Sequence, residues 1–140
     1  MGYSAMVEAI KTKIDAVLTA YSVEHDNEIG FSKPDNTVWA RAVVRPAPAV
    51  TVCIGAQKTY RQTGILDVQV FGPLGSDESA VNNAVEIVIK GFDYVNINVG
   101  DAEGTIVKFD FAPYPTVIGR NGGEYQVNVT CPFRADFTSS

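Results

Sequence analysis

The chain has 140 residues, enough for one domain with a buried core, and we expect a single domain over residues 1–140. Its formal net charge of -5 argues against a general nucleic-acid-binding protein, because such proteins need a basic surface to displace counterions from phosphates. No apolar run approaches the ~20 residues that span a bilayer, and the start of the sequence has neither the basic nor the apolar region of a secretion signal.

The first predicted element is an amphipathic helix. Apolar residues at helical spacing predict it from about Ser4 to Tyr21, with Ser4 as the N-cap. The next stretch, Ser22 to Asn36, is polar and irregular, so we expect an exposed loop there. The apolar residues of the helix are Met6, Ile10, Ile14, Val17, Leu18 and Tyr21.

Two strands are predicted after this loop. Thr37 to Arg45 alternates between two faces, and Pro46-Ala47-Pro48 ends the alternation. Val50 to Ile54 predicts a short strand, and Gly55 to Lys58 turns the chain into the next one. This order indicates two or three antiparallel strands that follow one another along the chain.

The stretch from Tyr60 to Leu74 predicts the central strand of the sheet. Leu66, Val68 and Val70 share an apolar face, while the residues between them form a mixed face. Gly72-Pro73 ends the strand, because proline lacks the N–H that a neighbouring strand would need.

A second helix follows, and its pattern is the clearest in the chain. We expect Ser76 to cap it, Asp77 and Glu78 to place negative charge in its first turn, and Gly91 to mark its end. Its apolar stripe predicts that one face lies on the sheet. The stripe comprises Val81, Ala84, Val85, Val88, Ile89 and Phe92.

The C-terminal third predicts strands joined by turns. Val95 to Val99 is a short edge strand, and Thr105 to Phe111 alternates. Ala112 to Gly123 predicts a hairpin arm, because Arg120-Asn121-Gly122-Gly123 is a strong turn signal. The last strand places Tyr125, Val127, Val129, Cys131 and Phe133 inward, and Asp136 to Ser140 is expected to fray.

These elements predict an α+β domain. Two helices pack on one face of a mostly antiparallel or mixed sheet, and a β-hairpin arm projects from it. The other face of the sheet is mixed in character, and such a face is often half-covered by another subunit. It carries Trp39, Arg41, Arg61, Asp67 and Gln69.

No pattern in the sequence indicates catalysis, a cofactor or a metal. His25 is the only histidine, and no second His or Cys lies at ligand spacing, so an exposed loop histidine is favoured over a metal ligand or a general base. Cys53 and Cys131 lie in predicted strands, which favours buried thiols over a disulfide or a Cys53–His25 nucleophile pair. Asp101 and Glu103 fit a solvated turn better than a cation-binding loop.

The central stretch carries a resemblance to a known family. From Tyr60 to Gly75, the sequence Tyr-Arg-Gln-Thr-Gly-Ile-Leu-Asp-Val-Gln-Val-Phe-Gly-Pro-Leu-Gly resembles a signature of the tail terminator-like proteins of long-tailed bacteriophages. In that family an Arg and a Gly precede a strand of the Val-Gln-Val-Phe type, which leads through Pro-Leu-Gly into a helix. Trp39-Ala40-Arg41, the N-terminal helix and the closing strand with Pro132-Phe133 are also similar, so the resemblance covers nearly the whole chain.

The resemblance implies a structural virion protein and not an enzyme. Such proteins form a ring, typically hexameric, on the head-proximal end of the tail tube, where they stop tube polymerisation and offer a surface to the head-completion or connector protein. The implied partners are further copies of the chain, the tail tube protein and the connector protein. Genome DNA would pass through the lumen without specific binding, no membrane would be involved, and assembly would take place in the host cytoplasm.

Four charged residues are predicted to lie in subunit or tube interfaces, namely Arg41, Arg61, Asp67 and Arg120. They occupy strand or arm positions beside an apolar core, and the sequence shows no internal partner for them. Ordinary solvated strand charges are the alternative interpretation. Gly64, Pro73 and Gly75 are assigned to backbone geometry.

Other functions remain open at this stage. A different head–tail connector or a minor tail protein would have the same composition. A small-ligand-binding α+β domain would require a cluster of polar side chains in a pocket.

Overall fold

The computed structural model describes residues 2–26, 30–34, 37–53, 55, 58–75, 78–100 and 104–138. Within them lie two helices and eight strands. None of these helices has the length and hydropathy of a membrane span. In chain order the elements are α1 (Gly2–Val17), β1 (Ser22–His25), β2 (Trp39–Pro46), β3 (Val50–Cys53), β4 (Thr59–Pro73), α2 (Ser79–Gly91), β5 (Asn96–Asn98), β6 (Ile106–Lys108), β7 (Tyr114–Asn121) and β8 (Glu124–Thr138).

Two long strands form the centre of the sheet. β4 and β8 have 15 residues each, and they pair antiparallel from Thr59 opposite Thr138 to Pro73 opposite Glu124. The other strands lie outside this pair in the order β1-β2-β4-β8-β6-β5, with β3 beside β4 and β7 beside β8. Only the β1–β2 pair is parallel among the described strands, so the sheet is mixed. The prediction of an α+β fold with a central strand in the Tyr60–Leu74 stretch is confirmed.

Both helices contribute to one core on a single face of the sheet. The apolar stripes of α1 and α2 are buried against the inward residues of β2, β4 and β8. Phe109 lies between Phe92 and Phe133, with ring centroids 5.0 Å and 5.8 Å apart. Each large side chain buried in this way contributes roughly 1.5–3 kcal/mol before the entropic cost of folding is subtracted.

The beginning of the chain differs from the prediction in two places. The helix begins at Gly2 and ends at Val17, so Ser4 lies inside its first turn and is not the N-cap. The predicted exposed loop from Ser22 to Asn36 is wrong at its start, because Ser22–His25 forms β1, which pairs in parallel with β2. Four residues with one large apolar side chain, Val23, give no strand pattern, and the strand exists because β2 offers it a neighbour.

The start of the second helix also differs. α2 begins at Ser79, so Glu78 occupies the N-cap position instead of the first turn, and its side chain makes no capping hydrogen bond. Ser76 and Asp77 lie outside the described residues. The predicted end at Gly91 and the burial of the apolar stripe are confirmed.

The C-terminal predictions are partly confirmed. The short edge strand is β5, and the hairpin arm is formed by β7 and β8. The Thr105–Phe111 strand is shorter than expected, and Phe111 is 65 % exposed because the chain leaves the sheet after Lys108. The prediction that the chain frays from Asp136 onward is wrong as far as Thr138, because β4 is long enough to pair with residues 134–138. Asp101 and Glu103 lie outside the described residues.

Two of the glycines in the central stretch have the structural role assigned to them. Gly75 has a φ of 81°, a conformation that glycine adopts without strain. Gly64 lies within β4 where the backbone of β2 approaches closely. A Cβ at position 64 would lie 2.6 Å from the carbonyl oxygen of Arg45 and 2.9 Å from the ring of Phe133.

We therefore expect Gly64→Ala to lower the free energy of unfolding by about 1–3 kcal/mol, because a backbone oxygen and a buried ring must move to admit the methyl group. Chemical denaturation measures this change. Gly123→Ala is the matched control, since a Cβ at position 123 meets nothing within 4 Å. Equal stabilities of the two variants would contradict the close approach at Gly64.

Candidate interaction surface on the polar face of the sheet

We call the side of the sheet opposite the helices the polar face. It is formed by the residues that alternate with the buried ones along β2, β4 and β8. Across the strands these residues lie in rows, because Glu24 is opposite Arg41, Arg41 is opposite Gln69, and Gln69 is opposite Asn128. Side chains on the polar face therefore have defined neighbours on the adjacent strands.

An aromatic cluster occupies one end of the polar face. Trp39 lies opposite Phe71, and their rings stack with centroids 4.4 Å apart. Phe31 lies on the other side of Trp39, with ring centroids 5.6 Å apart. The indole Nε1 of Trp39 donates a hydrogen bond of 2.6 Å to Glu124, which also accepts one of 3.3 Å from the Nζ of Lys33. One carboxylate thus connects the Phe31–Lys33 segment, β2 and β8.

Arg41 extends over this cluster. Its guanidinium carbon lies 5.6 Å from the ring centroids of both Trp39 and Phe71, within the range of cation–π attraction. Its Nε donates a hydrogen bond of 2.6 Å to Glu24. The predicted interface residue Arg41 therefore has an internal partner, contributed by the short strand β1 that the sequence pattern did not show.

Asp67 lies further along the same face. Its Oδ2 is 3.7 Å from the Nε of Arg45 and accepts a hydrogen bond of 3.4 Å from Gln69. Only 13 % of its side chain is exposed. On the opposite face of the sheet, burial raises the pKa of the Cys131 thiol to about 12, with a smaller contribution from the charge of Asp67.

Arg61 pairs with Asp136 at the far end of the polar face. The Nε and Nη2 of Arg61 donate hydrogen bonds of 2.9 Å and 3.2 Å to the two carboxylate oxygens of Asp136. This hydrogen bonding lowers the pKa of Asp136 and raises the pKa of Arg61. Arg134 and Asp110 form a neighbouring pair at 2.6 Å.

Arg120 differs from the other three predicted interface residues. It lies exposed near the tip of the β7–β8 hairpin, and none of the ion pairs found among the described residues involves it. It lines a groove of about 330 Å³ together with Glu78 and Tyr125. Among the described residues, its charge is therefore exposed and not part of an ion pair.

The structure changes the interpretation of His25. It lies in β1 with 16 % of its side chain exposed, so the prediction of an exposed loop residue is wrong. Its Nε2 is 2.8 Å from the Oδ1 of Asp15 on α1. No cluster of three or more His, Cys, Asp or Glu side chains that could hold a metal occurs in the described part of the chain. Cys131 is a buried free thiol, as predicted, and Cys53 lies in β3 with its side chain outside the described part.

Comparison with models of known families indicates the family to which the chain belongs. A family model described as phage tail terminator protein matches residues 4–133. The chain belongs to the phage tail terminator protein family. Membership in this family indicates a structural role in the phage tail and a place in the virion. The resemblance noted from the central stretch is confirmed.

The chain was also compared with curated proteins and with solved structures. No curated protein matches the chain. A solved structure with 19 % sequence identity covers 100 % of this chain and 99 % of its own, with a TM-score of 0.75. At this identity the likeness shows that the two proteins share a fold. The shared fold extends over the whole length of the chain described here.

The sequence predicts the charged residues of the polar face but not their partners. Glu24 lies in the predicted loop, Asp136 lies in the predicted frayed tail, and Glu124 lies between the predicted arm and the last predicted strand. The missing signal was strand register, because each pair joins positions that are 17 to 85 residues apart. The role of Arg41, Arg61, Asp67 and Arg120 in interfaces stays a prediction.

We expect Glu124→Ala to lower the free energy of unfolding by about 1–3 kcal/mol, because the indole N–H of the buried Trp39 loses its acceptor. Glu124→Gln keeps an acceptor oxygen and should therefore lower the free energy of unfolding by less. Trp39 is the only tryptophan, so its fluorescence should report the change directly during urea denaturation. Glu86→Ala, on the exposed side of α2, is the control. Equal losses in the Ala variants at positions 124 and 86 would contradict this role.

The Arg61–Asp136 pair should make stability depend on pH. Because the folded-state pKa of Asp136 is lowered, its contribution is present above the unfolded-state pKa of about 4 and is lost as the pH falls through the folded-state value. We expect the melting temperature of wild type to be higher than that of Asp136→Asn at pH 7. The difference between the two melting temperatures should narrow below about pH 4. Thermal melts of both proteins from pH 7 to pH 3 test this, with Asp93→Asn as an exposed control. A difference that does not change with pH would refute it.

Proposed function

We propose that this chain, folded as a single domain over residues 1–140, forms a hexameric ring that caps the head-proximal end of the phage tail tube. The ring stops tube polymerisation and presents the surface to which the head-completion or connector protein joins. The observation that carries this proposal is the match of the tail terminator family model to residues 4–133. Assembly takes place in the host cytoplasm before the tail joins the head.

The architecture of the sheet supports a ring. Closed rings are built from head-to-tail contacts, which require two different surfaces on one chain. Among the described strands, the sheet ends at the short strand β1 on one side, and at β5 and the β7–β8 hairpin on the other. A head-to-tail contact between these two sides repeats around an axis until the ring closes.

The charge of the chain supports a place around the DNA conduit. A formal net charge of -5 repels the phosphates of a passing genome, so the ring lets DNA through without retaining it. Arg41, Arg61 and Asp67 already have internal partners, which makes them weaker interface candidates. Arg120 is the strongest of the four interface candidates, because its charge is exposed.

The deciding experiment is electron microscopy of lysates from a phage that carries a deletion of this gene. We expect overlong tail tubes without heads, because nothing stops tube growth, and normal tails when the gene is supplied from a plasmid. Tails of normal length that fail to join heads would move the protein to a joining role. Normal infectious particles would refute a role in tail assembly.

A further inference from the structure

Two large aromatic side chains on the polar face are buried, although both helices pack on the other face of the sheet. Trp39 is 4 % exposed and Phe71 is 6 % exposed. Further along the same face, where no part of the chain lies over β2, 56 % of the Arg45 side chain is exposed. The two rings are therefore covered by a part of the chain other than the helices.

The cover is a short segment between β1 and β2, residues 30–34, which we call the strap. Phe31 of the strap lies against Trp39, with ring centroids 5.6 Å apart. The Nζ of Lys33 lies 3.3 Å from a carboxylate oxygen of Glu124 on β8. These four side chains are among those that line one groove of about 290 Å³. The strap thus forms one wall of this groove, and the sheet forms its floor.

The strap is weakly attached to the sheet. No backbone hydrogen bond between described residues joins the two. The contact of Phe31 with Trp39 is wider than the stack of Trp39 on Phe71, whose centroids are 4.4 Å apart. In the Lys33–Glu124 pair 53 % of the lysine side chain is exposed, and an ion pair this exposed contributes little to stability. Segments held in this way open at a small fraction of the free energy of global unfolding.

The surface beneath the strap is held independently of it. Trp39 and Phe71 lie opposite each other in the β2–β4 ladder, so their positions are fixed by the register of the sheet. The indole Nε1 of Trp39 donates a hydrogen bond of 2.6 Å to Glu124, and this bond does not involve the strap. Arg41 is held over the two rings by its hydrogen bond of 2.6 Å to Glu24 on β1. The floor of the groove therefore stays in place when the strap leaves.

We propose that the strap opens as a unit while the sheet stays folded, and that its opening uncovers the rings of Trp39 and Phe71. The aromatic end of the polar face then has two forms. In the covered form Phe31 and Lys33 close the groove, and in the open form two stacked rings beside Arg41 face the solvent. The strap therefore controls access to this end of the polar face, because anything that binds only the open form must first shift the population toward it. This is a property of the single chain and does not rest on the proposed ring.

The test is acrylamide quenching of tryptophan fluorescence in the folded chain. Trp39 is the only tryptophan, so the quenching rate constant reports the access of solvent to its indole ring. Lys33→Ala removes the anchor of the strap but leaves Phe31, the ring that covers Trp39. We expect this variant to raise the quenching rate constant about 2-fold while the far-UV circular dichroism spectrum stays unchanged. Lys90→Ala, which removes an exposed lysine from α2, is the matched control and should behave as wild type does.

Salt provides a second test that needs no substitution. Raising the NaCl concentration from about 0.05 M to about 1 M screens the Lys33–Glu124 pair, whereas acrylamide is uncharged and reaches the chain equally well in both. The quenching rate constant of wild type should therefore rise with salt toward that of Lys33→Ala. The quenching rate constant of Lys33→Ala itself should change little, because the pair that salt screens is already absent.

Proteolysis reports the strap itself and not the ring beneath it. Chymotrypsin should cut the folded chain after Phe31 faster in Lys33→Ala than in wild type, with the site of cleavage identified by mass spectrometry. Quenching that changes neither in Lys33→Ala nor in concentrated salt would overturn the inference. So would a rise in quenching that occurs only together with loss of the circular dichroism signal, because Trp39 would then be uncovered by unfolding of the sheet. If Lys33→Ala does not fold, the salt dependence of wild type decides.

Discussion

The antiparallel pairing of β4 with β8 is the constraint on which the rest of the structure depends. Fifteen residues of each strand are in register, and this register decides which side chains face the helices and which face the polar side. A slip of one residue would turn Leu66, Val68 and Val70 outward and leave α2 without a surface to cover. β2 and β3 then follow the outer side of β4, while β7 and β6 follow the outer side of β8. Every other strand pairing in the sheet is thus attached to this ladder, directly or through one neighbour.

The polar face shows a second consequence of the same register. Arg61 meets Asp136, and Trp39 meets Glu124, because the ladder places distant parts of the chain side by side. Exposed ion pairs of this kind contribute little to stability individually. Their main effect is to favour the correct register over its neighbours, since a shifted strand would bring like charges together or leave the indole N–H without an acceptor. The buried face and the polar face therefore specify the same pairing by different physical means.

The sequence predicts those parts of the structure that rest on local periodicity. The stripe of α2, the alternation of β4 and β8 and the turn signal at Gly122-Gly123 each span a few neighbouring residues, and all three are confirmed. β1 and the end of β8 were not predicted, because they are strands only by virtue of a partner that lies elsewhere in the chain. The partners of Arg41 and Arg61 were not predicted either, because they lie on these two segments. Residue types indicated that the polar face carries charge, but only the register shows that this charge is already paired.

This pairing has a consequence for assembly. A charged side chain that already has a partner gains little from a second one, because the gain must offset the desolvation of the existing pair. An exposed apolar side chain has no such competitor, and its full burial is available to a binding partner. On the polar face Arg41, Asp67 and Arg61 are paired, whereas Tyr114, Val117 and Ile118 on the β7 border are exposed. The charges that are already paired and the exposed apolar side chains are therefore separated in space. The first lie on the polar face of the sheet, and the second lie on the edge strand β7.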